Sequence, residues 1–212
     1  MASMTIAAGR PGFRYLPGYL SAAEQRNLCA AIRRILEQAP LFSPRMPRTG
    51  KAFSVQMSNC GPLGWVSDIT GYRYQPVHPD TGLPWPPIPD VVLRAWEELA
   101  GYRPPPEACL INYYNPTARM GLHQDRDEQD FAAPVVSLSL GATCLFRVGG
   151  QHRSDPKSFR LASGDAVVLG GESRLMFHGV DRIIPGTSTL LPEDGRINLT
   201  LRRVTKPFYS GA

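Results

Sequence analysis

The chain contains four histidines, His78, His123, His152 and His178, and two of them stand where a metal ion could use them. His123, Gln124 and Asp125 form an H-x-D triplet. Residues two apart in extended backbone project from one face, so the imidazole and the carboxylate can converge on a single ion. A third ligand has to come from elsewhere. His178 closes the run Arg174, Leu175, Met176, Phe177 after the pair Gly170 and Gly171. A strand there would deliver it to the same mouth of a barrel. Two histidines and one carboxylate leave half an octahedron open, the arrangement of non-haem Fe(II) oxygenases. Zinc more often takes four ligands in a closed site. By itself an H-x-D triplet also suits an exposed polar turn.

A second group strengthens the metal reading. In the run Arg196 to Arg202, strict alternation puts Arg196, Asn198, Thr200 and Arg202 on one face and Ile197, Leu199 and Leu201 on the other. If the polar face meets solvent, the arginines are ordinary surface charge. If it meets a barrel interior, two buried guanidiniums require anionic partners, because unpaired buried charge is costly. A small dicarboxylate offers one carboxylate to each, through paired N–H donors. Asn112 and Tyr114, also two apart, offer an amide and a phenol from one strand face. The alternative for Tyr114 is a core position with its hydroxyl satisfied nearby.

These residues need elements to position them. Ser21 and Glu24 have the spacing of a capping box, which predicts a helix to about Gln38 with Leu28, Ile32 and Ile35 on its apolar face. A second helix is expected over Val91 to Ala100, with Asp90 as N-cap, Gly101 as terminator, and Val92, Leu93, Trp96 and Leu99 facing inward. Between them, residues 39–89 mix proline and glycine with Phe53, Trp65, Tyr72, Tyr74 and Trp85, the composition of short hairpins forming a flap. From Cys109 onward the chain reads as short strands: Cys109 to Tyr114, Val135 to Leu140, Cys144 to Val148, Phe159 to Leu161, Ala166 to Leu169, Leu175 to His178 and Arg196 to Val204. Such a series implies a sandwich or barrel, and a jelly roll suits the count.

Composition bounds the remaining possibilities. At 212 residues one domain, 1–212, is expected, and 42% hydrophobic with 19% charged residues suits a water-soluble globule. The sequence has no apolar run of membrane-spanning length and no secretory-type start, so no membrane association and a cytoplasmic location are expected. Cys29, Cys60, Cys109 and Cys144 are scattered, which favours reduced buried thiols over disulfides. The net charge of +5 is compatible with a polyanionic partner, and equally with arginine-rich codon usage.

Taken together, the stretches Asn59 to Gly61, Leu63 to Trp65, Trp85-Pro86, Ala108 to Tyr114, Leu122 to Glu128, Gly170 to Leu175, His178-Gly179 and Arg196 to Arg202 resemble the AlkB family of Fe(II)- and 2-oxoglutarate-dependent nucleic-acid repair dioxygenases. The similarity runs from about Phe53 to Arg203. It implies a mainly β fold with flanking helices: a double-stranded β-helix core over about 105–204, an N-terminal helical and flap extension, and a nucleotide-recognition lid over about 39–89. It implies iron on His123, Asp125 and His178, and 2-oxoglutarate on Asn112, Tyr114, Arg196, Asn198 and Arg202, with Arg196 at the distal carboxylate and Arg202 at the one near iron. Met57, Trp65, Tyr72, Asp127 and Arg153 would line the substrate pocket, and O2 would be the oxidant. The implied activity is oxidative demethylation of N-alkylated bases such as 1-methyladenine and 3-methylcytosine, releasing formaldehyde and succinate. Alkylated DNA in single-stranded form is the expected partner, with RNA, protein or a small molecule as other substrates for the same chemistry. An inactive nucleic-acid-binding module is the reading from another class. A monomer is expected.

Overall fold

The structure is a computed structural model that describes residues 11–153 and 156–207. Its first helix, α1 (Ala22–Gln38), begins where the capping box places it: Ser21 Oγ accepts from the Glu24 amide, and the Glu24 carboxylate accepts from the Ser21 amide at 2.8 Å. Leu28, Cys29, Ile32 and Ile35 form its buried face. The second helix, α2 (Asp90–Leu99), differs from expectation at its start. Pro89, not Asp90, is the N-cap, and no side chain caps the helix. The reason is the fixed φ of proline: at −61° with an extended ψ, Pro89 leaves its carbonyl to accept the first helical bonds from Val92 and Leu93. Asp90 then lies in the first turn, where its charge favours the helix dipole. Ala95 takes a buried place on this helix, whereas Leu93 is only partly buried.

The strands are β1 (Phe13–Leu16), β2 (Gln56–Cys60), β3 (Gly64–Asp68), β4 (Gly71–Gln75), β5 (Ala108–Tyr114), β6 (Met120–His123), β7 (Val135–Gly141), β8 (Thr143–Val148), β9 (Lys157–Leu161), β10 (Ala166–Leu169), β11 (His178–Ile184) and β12 (Arg196–Arg202). They form three antiparallel sheets: a major sheet in the order β1-β10-β7-β12-β5-β2, a minor sheet in the order β6-β11-β8-β9, and the separate hairpin β3-β4. This is the expected jelly-roll arrangement with flanking helices. Residues 39–89 do two different things: β2 completes the edge of the major sheet against β5, and β3-β4 stands apart as a hairpin.

The major sheet is buried on both faces, so β12 has almost no exposed position. Ile197, Leu199 and Leu201 pack outward against Leu28, Ile32, Val92 and Trp96 of the two helices. Arg196, Asn198, Thr200 and Arg202 face the space between the sheets, where they line a cleft. The polar face of this alternating strand therefore lies in the interior.

The strand expected over Leu175 to His178 begins only at His178. The residues before it form a turn, with a short 3-10 helix at Gly171–Ser173, because Arg174 is drawn inward. Its guanidinium donates to the carbonyls of Ala133 and Asp125 and to the Glu128 carboxylate, and no regular strand supplies that geometry. Strands β1 and β6 are four residues each and went unpredicted, since neither carries a usable alternation. All four cysteines are buried and free.

Trp96 is 2% exposed, and its indole N–H donates to the Pro104 carbonyl at 3.0 Å, so it anchors α2 to the sheet. Trp96→Ala is expected to cost about 3–5 kcal/mol of stability. A matching fall in the urea midpoint with unchanged m-value would show it.

Candidate metal centre and cosubstrate cleft

His123 ends β6 and His178 begins β11, and the two are direct partners across that strand pair. Their ring centroids are 4.5 Å apart. Asp125 follows just beyond β6, its side chain 4% exposed. One carboxylate oxygen lies 3.7 Å from Nε2 of His123 and the other 3.7 Å from Nε2 of His178. All three ligand atoms fall within 4.8 Å of one another.

Backbone carbonyls orient the imidazoles in a way that would suit a metal ion. Nδ1 of His123 lies 2.9 Å from the Gly121 oxygen, and Nδ1 of His178 lies 3.0 Å from the Met176 oxygen. A carbonyl only accepts, so each Nδ1 carries the proton and each Nε2 presents its lone pair. Burial, and then the neighbouring His123, lowers the His178 pKa to about 4, so it is neutral near pH 7. Burial alone would push the Asp125 carboxyl up. The charge of Arg202, with the two imidazoles where they are protonated and then Arg174, outweighs it and holds the group well below the usual carboxylate range.

Close packing between β6 and β11 depends on Gly179. A Cβ there would sit 2.5 Å from the Met120 carbonyl and 2.8 Å from that of Gly121, the same carbonyl that orients His123.

The two guanidiniums of β12 have different surroundings. Arg196 is fully buried and donates to the carbonyls of Ala142 and Leu161 and to Ser139 Oγ, all neutral acceptors. Its charge is left for an anion to meet. Arg202 donates to Asp125 at 2.7 Å and to Glu128 at 3.1 Å, so the chain itself supplies carboxylates at that end. The expectation that both arginines depend on an outside acid therefore applies to Arg196, while Arg202 already belongs to an internal ion network. Glu128, Arg174 and Tyr74 complete that network and escaped sequence reasoning, although Glu128 and Arg174 lie inside the stretches that carry the resemblance.

Asn112 and Asn198 are cross-strand partners, as are Tyr114 and Arg196. Burial pushes the Tyr114 hydroxyl well up, keeping it a donor. Four buried side-chain atoms among the described residues have no hydrogen-bond partner: Asn112 Oδ1, Asp125 Oδ2, Arg196 Nε and Arg202 Nε. Unmet polar atoms are rare in folded interiors. A metal ion at Asp125 and an acid at the guanidiniums would satisfy three of them, so the donor set fits Fe(II) and 2-oxoglutarate.

These residues all line one cleft of about 830 Å³, as do Met57, Trp65, Tyr72, Asp127 and Arg153. The Trp65 ring stacks on exposed Tyr72 at 5.6 Å, and its indole N–H donates to Asp127 at 2.7 Å. Arg153 lies over the Phe177 ring. His78, by contrast, is buried and tied to local backbone groups in the 39–89 segment.

Residues 12–202 match the model of the 2OG-Fe(II) oxygenase superfamily. The chain belongs to that superfamily and, within it, to the AlkB family. It is 55% identical over 194 residues to an alpha-ketoglutarate-dependent dioxygenase AlkB homolog of Caulobacter vibrioides, covering 91% of this chain and 88% of that one. It is 44% identical to alpha-ketoglutarate-dependent dioxygenase AlkB of Escherichia coli, covering 88% and 87%. Among solved structures, that of OsALKBH1 matches with a TM-score of 0.76 at 32% identity, covering 92% of this chain and 97% of that one. The protein is thus an Fe(II)- and 2-oxoglutarate-dependent dioxygenase that consumes O2. Among the described residues, no helix of this AlkB-family chain is long and apolar enough to cross a membrane.

Two outcomes follow from the site. The folded chain keeps His178 neutral below the ordinary imidazole value of 6.5, so it binds fewer protons than the unfolded chain between about 4 and 6.5. His178 therefore lets stability rise with pH through this window, and the melting temperature of metal-free protein should fall as the pH drops from 6.5 toward 4. His178→Ala should reduce that dependence. Gly179→Ala should weaken Mn(II) binding on the order of tenfold, by parting the two histidines. Isothermal titration with Mn(II), which avoids turnover, measures it.

Proposed function

We propose that this dioxygenase removes N-methyl groups from bases of nucleic acid by direct reversal. The observation that carries the proposal is the cleft: a His-Asp-His cluster lies within the same cavity as an aromatic wall and a carboxylate, Asp127, that is held by the Trp65 indole N–H. Its relatives bear the AlkB name. His123, Asp125 and His178 would hold Fe(II). Arg196, with Tyr114 and Asn198, would hold the distal carboxylate of 2-oxoglutarate, and Arg202 with Asn112 the end nearer the metal. Together, Fe(II), 2-oxoglutarate and O2 supply oxidation of an N-methyl carbon to formaldehyde, with the keto acid leaving as succinate and CO2.

The rest of the work falls to the chain's own side chains. A methyl group on a pairing nitrogen lies inside a duplex, so the base must leave the stack or come from a single strand. Trp65, Tyr72 and Met57 offer it a largely apolar wall. Alkylation at N1 of adenine or N3 of cytosine makes the base cationic, and Asp127 offers the opposite charge. At 4 Å such a pair is worth about 4 kcal/mol at an effective dielectric of 20, before desolvation. Arg153, exposed at the rim, suits a backbone phosphate. In this reading residues 1–212 act as one domain, with 39–89 as the nucleotide-recognition lid and 105–204 as the catalytic core. It works as a cytoplasmic monomer on single-stranded DNA, with RNA a second substrate.

The test is formaldehyde release from oligonucleotides carrying 1-methyladenine or 3-methylcytosine, compared across single-stranded DNA, duplex DNA, RNA and a methylated peptide. Release from the single-stranded DNA, strictly dependent on Fe(II) and 2-oxoglutarate, is expected. Asp127→Ala should lower kcat/KM for these cationic bases by roughly three orders of magnitude at most, as an upper bound from the charge pair before desolvation. Arg196→Ala should raise the KM for 2-oxoglutarate. Activity confined to the peptide would overturn the nucleic-acid assignment.

A further inference from the structure

The hairpin β3-β4 carries Trp65 and Tyr74 as cross-strand partners, and both reach the short segment that follows His123. Trp65 donates to Asp127, and the Tyr74 hydroxyl donates to Glu128 Oε1. Glu128 is fully buried at its side chain and has every oxygen engaged: Oε2 accepts from Arg174 at 3.0 Å, and Oε1 also accepts from Arg202 Nη1 at 3.1 Å. The other terminal nitrogen of Arg202 holds Asp125 at 2.7 Å, and Arg202 Nη1 further donates to the Tyr74 oxygen at 3.0 Å. Arg174 closes the loop by holding the Asp125 carbonyl at 3.0 Å.

Two arginines and two carboxylates thus balance in the interior, and a single planar guanidinium joins a hairpin tyrosine to a candidate metal ligand. The guanidinium fork is rigid, so a shift at one nitrogen is carried to the other. Burial holds the Tyr74 hydroxyl well above its ordinary value, with Arg202 opposing and Glu128 assisting, so it remains a donor. Low-dielectric networks of this kind lose heavily when one member is left unmet.

We propose that Tyr74 and Glu128 are positioning residues that couple the seating of the β3-β4 hairpin to the orientation of Asp125 and Arg202. A seated hairpin holds the Arg202 fork, which in turn aims the Asp125 carboxylate. By reciprocity, a metal and keto acid that fix Asp125 and Arg202 tighten the hairpin. This inference rests on the proposed roles of Asp125 and Arg202, and it gives the base-contacting wall a means of sensing whether the centre is loaded.

The experiment is amide hydrogen exchange over residues 71–75 of the full chain, with and without Mn(II) plus 2-oxoglutarate, and with no nucleic acid. In the native protein, loading should slow exchange there on the order of tenfold. Tyr74→Phe, which removes one oxygen and leaves Glu128 with both arginines, should still bind Mn(II) while losing most of that slowing. Glu128→Gln should act in the same direction, provided its melting curve shows it folded. Equal slowing in Tyr74→Phe and native protein, or no slowing in native protein, would overturn the coupling. Because no oligonucleotide is present, that result leaves the demethylation reading standing. Conversely, coupled exchange without formaldehyde release would reject demethylation alone.

Discussion

A carboxylate that is to bind a metal in a protein interior must stay ionised there, and the fold is arranged around meeting that condition for Asp125. Its side chain is almost wholly buried, which disfavours charge. Arg202 offsets the cost directly, and Arg174 secures the backbone of the same residue. Those two cations are themselves balanced by Glu128. Removing any one member would strand a charge, which is far costlier than losing a surface pair.

This requirement explains features that look unrelated along the chain. Arg174 is held inward, so its segment turns instead of extending, and β11 starts at His178 itself. That start places His178 opposite His123, and Gly179 then allows the two strands to approach closely. The same network reaches Tyr74 on the hairpin that forms part of the wall above the centre. Structural stability and site geometry are thus two results of one set of buried hydrogen bonds.

Charge is distributed unevenly along the cleft, and the unevenness suits the two ligands proposed for it. At one end Arg196 sits among neutral acceptors with its charge unmet. At the other, Arg202 is already shared between acids, leaving its Nε and one oxygen of Asp125 unpartnered. An anion with two carboxylates and a divalent cation would complete this pattern. Nearer the mouth, Asp127 is exposed and reverses the sign, where a cationic base would be favoured.

Much of this was legible in residue order because it depended on local periodicity. Alternation along Arg196 to Arg202 marked the polar face, the Ser21 and Glu24 spacing marked α1, and the H-x-D triplet placed two ligands together whatever the fold around them. Longer-range facts had no such local signature. That the polar face of β12 points inward follows only because helices cover the other face, and that Arg202 finds Glu128, 74 residues earlier, and Tyr74 on a hairpin 128 residues earlier follows only from the packing of the whole. Sequence fixes which side chains share a face. Which face is buried, and which distant charge meets it there, is decided when the sheets close, because burial and ion pairing belong to the assembled interior and to no single segment.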